Sequence, residues 1–68
     1  MRSGILFIEQ EVISILKGGV RIPLNDLVKK VAHDLEIYSM EDRVESMILN
    51  MIASGKIFKD EADRVYLQ

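Results

Sequence analysis

The sequence predicts a small α+β domain of three helices, one short strand after the first helix and a C-terminal β-hairpin. Three observations carry that expectation. Apolar residues recur at helical spacing in three stretches, punctuated by Gly18-Gly19, Ser39 and Gly55. Two short runs rich in β-branched and aromatic residues close the chain around an acidic turn, Asp60-Glu61-Ala62-Asp63. Of the 68 residues 49% are apolar, and 22 are Ile, Leu or Val, which is too rich a supply for a disordered chain.

The first helix is expected from about Ile5 to Lys17, with Ile5, Ile8, Val12, Ile15 and Leu16 on its core face. Leu6 and Ile13 lie on the flank. Gly18 suits the left-handed cap that ends the helix, and Lys17 suits the negative end of its dipole. Phe7 points away, among Gln10, Glu11 and Ser14. It either tucks beneath a loop or terminus or anchors a second chain, since large aromatics are enriched at interface cores.

Val20-Arg21-Ile22-Pro23 alternates and reads as a short strand. Pro23 also suits a helix start, where its missing N–H costs nothing. A second helix follows from Leu24 to about Leu35. Leu24, Leu27, Val28, Val31 and Leu35 form its stripe, and Asp26, Lys29, Lys30 and His33 face away. Ser39 reads as the N-cap of a third helix that runs to about Ser54, with Glu41 and Asp42 in its first turn. Met40, Val44, Met47, Ile48, Met51 and Ile52 are its expected core face, with the methionines as adaptable filler. Lys56 to Lys59 and Arg64 to Leu67 form the closing hairpin, around a loop of four or five residues.

Met1 to Gly4 read as a flexible lead-in, and residues 5–68 as one domain. There is no cysteine, so disulfides, thiolate nucleophiles and Cys-ligated metals are excluded. An intracellular location, cytoplasmic or nuclear, is the natural expectation. The apolar run Ile5 to Ile8 stops at Glu9, far short of the roughly 20 residues a membrane span needs. Nine Lys/Arg against eleven Asp/Glu give a net charge of −2, so no bulk positive charge draws the chain to nucleic acid or anionic lipid.

The order helix, strand, helix, helix, hairpin resembles a winged helix-turn-helix domain. Val44-Glu45-Ser46-Met47-Ile48 through Met51-Ile52-Ala53-Ser54-Gly55-Lys56-Ile57-Phe58, ending in Val65-Tyr66-Leu67, looks like that superfamily's third helix running into its wing. Ile22-Pro23-Leu24-Asn25-Asp26-Leu27, with the hydrophobic ending after a short wing, resembles the C-terminal winged-helix module of minichromosome-maintenance helicases. Val44-Glu45, Met51-Ile52 and Gly55-Lys56-Ile57 resemble, less closely, the winged-helix half of PCI domains. The chain is too short for the helical half of a PCI domain. The matched positions are mostly apolar core, so the resemblance implies fold; a place in a nucleic-acid-associated assembly follows only by analogy with the helicase modules. One departure concerns the turn before the third helix. Leu35-Glu36-Ile37-Tyr38 has no glycine there, which allows the second helix to run about a turn longer and alters how the third helix meets a groove.

No catalytic or metal site emerges, and no cofactor or small-molecule substrate is implied. His33 is the one imidazole, on a polar face with Asp26 and Lys30 at helical spacing, and reads as a solvated side chain. The acidic turn lacks the ligand spacing and glycine of an EF-hand loop, and Gly18-Gly19 precedes a strand and so is no phosphate loop. The expected function is therefore protein docking or self-association, with Phe7, Tyr38, Leu49, Arg64 and Tyr66 as candidate contacts, the strand Arg64–Leu67 being open to strand addition. The alternative is weak DNA binding through Arg43, Ser46, Asn50, Lys56 and Lys59. Against it, the exposed face of the third helix sets Glu41, Asp42 and Glu45 against one arginine.

Overall fold

The computed structural model describes residues 4–67, with side chains from Phe7 onward. Among these residues the order is α1 (Gly4–Leu16), β1 (Arg21–Pro23), α2 (Leu24–Asp34), a 3₁₀ turn (Tyr38–Met40), α3 (Glu41–Ala53), β2 (Phe58–Lys59) and β3 (Arg64–Tyr66). The fold is α+β, three helices with a three-stranded antiparallel sheet. Of the lead-in expected over Met1 to Gly4, Met1–Ser3 lie outside the described residues, whereas Gly4 is the first residue of α1. The side-chain positions expected of Ile5 and Leu6 also lie outside the described residues. No described helix is long and apolar enough to cross a membrane.

The core is where the three helical stripes meet. Ile8, Val12 and Leu16 of α1, Leu27, Val28 and Val31 of α2, and Val44, Ile48 and Met51 of α3 are buried together with Ile57 and Val65 of the hairpin. Ala32, one helical turn after Val28, is buried with them, although its small size hid it from the stripe. Ile15, Leu24, Leu35, Met47 and Ile52 are half-buried at the edge of the core. Met40 departs from the expected face. It is 39% exposed because it sits at the N-cap position, outside the helical spiral that carries Val44 inward.

Ser39 is not the cap of α3. The 3₁₀ turn, closed by the Met40 N–H donating to the Ile37 carbonyl at 2.9 Å, delays the helix start to Glu41. That leaves Ser39 one residue too early for its hydroxyl to cap, and no side chain takes its place. Nor does α2 extend by a turn. Glu36 takes a left-handed φ of 57° and stops the helix after Asp34. The Glu36 N–H donates to the His33 carbonyl and the Ile37 N–H to the Ala32 carbonyl, at 3.1 and 2.8 Å. This is the double-bonded helix ending usually built on glycine. Gly55, with its φ of 84°, builds the same ending on α3: its N–H donates to the Ile52 carbonyl and the Lys56 N–H to the Met51 carbonyl.

Strand order in the sheet is β1-β3-β2. Ile22 pairs with Val65, and Arg21 and Phe58 flank Tyr66 from either side. Because alternate residues face opposite ways, Val65 points into the core while Arg21, Tyr66 and Phe58 form a row on the outer face. The Arg64–Leu67 run is therefore not an edge. As the central strand β3, it has neighbours on both sides, and the strand-addition route is closed.

Candidate interaction surface on α3

An open groove of about 600 Å³ runs along α3 from the 3₁₀ turn, lined by Ser39, Met40, Asp42, Arg43, Ser46, Met47 and Asn50. The helical repeat explains its make-up. Arg43, Ser46 and Asn50 recur at i, i+3 and i+7, so they share one exposed stripe. Met40 and Met47 sit three residues before and four residues after Arg43, which gives the groove apolar ends. Of the sequence-derived nucleic-acid candidates, the structure brings Arg43, Ser46 and Asn50 together here.

Lys56 and Lys59 lie elsewhere, and their charges are answered. Lys56 Nζ is 3.3 Å from Glu9 Oε1 of α1, and Lys59 Nζ is 3.3 Å from Asp63 Oδ1 across the hairpin turn. Arg21 and Arg64 both reach Asp60 Oδ2, at 3.0 and 3.2 Å. Lys30 pairs with Asp34 at 3.9 Å. Arg43 makes no ion pair among the described residues, and neither do Glu41, Asp42 and Glu45 on the same helix.

The docking candidates scatter. Phe7 is 59% exposed on the outer side of α1, so it is not tucked away. Tyr38, 60% exposed, leads into the groove and meets His33 edge-on, with ring centroids 5.9 Å apart. Leu49, 42% exposed, flanks the groove on α3. Tyr66 and Arg64 belong instead to the outer face of the sheet. There the Arg21 guanidinium lies 3.9 Å from the Tyr66 ring centroid, and Phe58 stacks beside that ring at 5.7 Å. Both faces of Tyr66 are thereby covered. Phe58 and Arg21 were legible only through the strand order, which sequence spacing does not give.

Asp60 organises the hairpin turn. The Arg64 N–H donates to its carboxylate at 3.0 Å and the Ala62 N–H at 2.9 Å. Those bonds, the first to Arg64 foremost, together with the two guanidinium groups, hold the Asp60 carboxyl below the usual carboxylate range. At Glu11 of α1 the sign reverses. Hydrogen bonding to Asp34, then burial and the Asp34 charge, push the Glu11 carboxyl up, with Lys30 opposing. Among the described residues no group of three or more His, Cys, Asp or Glu side chains converges to hold a metal ion.

In comparisons with known proteins, the chain matches no family model, no curated protein and no solved structure.

Proposed function

We propose that this chain is a winged-helix protein-docking module without catalytic activity, which binds its partner along the groove between the 3₁₀ turn and α3. The observation that carries the reading is the state of the cations. Lys56 and Lys59, on which DNA binding would rely, are held by Glu9 and Asp63. The helix that would enter a DNA groove carries Glu41, Asp42 and Glu45 without ion-pair partners among the described residues. An element pressed between phosphates needs the opposite balance. A protein partner meets a mixed, partly apolar groove bordered by exposed Tyr38 and Leu49, a composition suited to a modest interface. The winged-helix assignment rests on the element order and on the antiparallel arrangement β1-β3-β2.

Photo-cross-linking tests the reading. A photoreactive amino acid at Ser46 lies in the groove, and one at Lys29 serves as an exposed control on α2. In extracts of the source cell, Ser46 is expected to give a discrete adduct that survives nuclease, and Lys29 none. A nuclease-sensitive adduct from Ser46, or equal labelling from both positions, overturns the reading.

A further inference from the structure

We infer that Arg43, Ser46 and Asn50 form a receptor for a single carboxylate carried by the docking partner beside an apolar side chain. This rests on the groove being the docking site. Five of the nine Lys/Arg side chains are in ion pairs, whereas Arg43 lies mid-groove with none among the described residues. Its planar fork of N–H donors matches a carboxylate in bidentate geometry. The Ser46 hydroxyl and Asn50 amide lie on the same stripe and supply further donors. Met40 and Met47 flank the trio with flexible, polarizable surface, which adapts to a neighbouring apolar side chain.

The neighbouring acid selects the kind of anion. Duplex DNA presents a charge about every 1.7 Å along its axis, so it would face Asp42, which lines the groove, as well as Arg43. One carboxylate reaches Arg43 from the side of Met40 and Met47, away from Asp42 on the helical spiral. Asp42 also disfavours a highly acidic partner, which points to a mainly apolar segment with one acidic group, on a side chain or at a C-terminus.

Nuclear magnetic resonance titration with N-acetyl-leucinate, against the neutral N-acetyl-leucinamide, tests the site. The carboxylate is expected to bind in the millimolar range and to shift the Arg43 Nε–H, the Ser46 and Asn50 amides, and the Met40 and Met47 methyls. The amide probe is expected to bind at least about tenfold more weakly. R43Q is expected to lose the difference between the probes, and R43K to keep part of it. Equal shifts from both probes, or unchanged carboxylate binding in R43Q, overturn the inference. So does a short duplex that displaces the carboxylate from these resonances at lower concentration. A protein adduct from Ser46 combined with indifference to the probe charge removes this inference and leaves docking standing. Carboxylate binding without any adduct keeps the carboxylate site and overturns the docking reading, and with it a protein partner as the source of the carboxylate.

Discussion

The Lys56 ammonium lies 3.3 Å from Glu9 Oε1, so the foot of the hairpin is tied to α1 and its charge is already answered. Together with the Lys59–Asp63 pair, this leaves Arg43 as the lone unpaired member of the three cations that DNA binding would use. Fluorescence anisotropy with labelled single- and double-stranded DNA, at about 50 and 200 mM salt, is expected to show no saturable binding. R43A/K59A is expected to behave like the parent. Micromolar binding that falls steeply between the two salt concentrations would return the DNA reading to first place.

Helical spacing alone located the buried faces of α1, α2 and α3, because Ile8, Val12, Leu16, Leu27, Val31, Val44, Ile48 and Met51 obey one period. It also put Arg43, Ser46 and Asn50 on one face. Features that depend on contacts distant in sequence were not legible. Nothing local tells that β3 lies between β1 and β2, or that Asp60 gathers both Arg21 and Arg64. The end of α2 near Leu35 was legible, but the device that makes it was not. Glu36 has no intrinsic preference for a left-handed φ, and tertiary packing of Ile37 against the core imposes it.

Asp60 gives the hairpin its acid limit. Its folded pKa lies below the unfolded value of about 3.9. It therefore contributes stability above that pH and loses it as pH falls through the folded value. D60A is expected to lower the melting temperature at neutral pH and to converge on the parent in strong acid. Hydrogen exchange is expected to quicken at the Ala62 and Arg64 amides, whose acceptor is removed. D60N, which keeps a side-chain oxygen for those amides, is expected to fall between the two. Unchanged exchange in D60A would mean that backbone geometry alone sets the turn.

Glu11 behaves in the opposite sense. Its folded pKa is raised, so the folded state binds the proton more tightly than the unfolded state. Stability is then fully present below the unfolded value of about 4.3 and is lost as pH rises through the folded one. E11Q keeps a hydrogen-bond donor for Asp34 and removes the like charge. Its melting temperature at pH 7 is expected at or above the parent's, with less change on acidification to about pH 4. A clear fall at pH 7 would show that the Glu11 charge supports the fold through Lys30 instead.

Ile48 and Leu49 are adjacent in sequence and opposite in environment, fully buried and 42% exposed. I48A is expected to cost about 2–5 kcal/mol in urea unfolding, from lost burial and the cavity left behind. For a domain of this length the total is only about 3–10 kcal/mol, so part of the population would be unfolded without denaturant. L49A is expected to stay within about 0.5 kcal/mol while weakening any partner seated beside the groove. A large stability loss in L49A would place that side chain in the core and remove it from the docking face.

The corner between α2 and the 3₁₀ turn stores strain that one substitution should release. Glu36 holds φ at 57°, where a β-carbon crowds the following carbonyl at a cost of roughly 1–2 kcal/mol. Its side chain is exposed and makes no ion pair among the described residues, so little is lost with it. Glycine removes the crowding but loosens the unfolded chain, which takes back about 0.4–1 kcal/mol. E36G is therefore expected to gain about 0.5–1 kcal/mol, a rise of roughly 2–8 °C in melting temperature. E36A separates backbone from side chain. It keeps the β-carbon and is expected to match the parent within about 0.5 kcal/mol. If E36A stabilised as much as E36G, the strain would lie in the Glu36 charge beside the acidic end of α2 and not in its backbone.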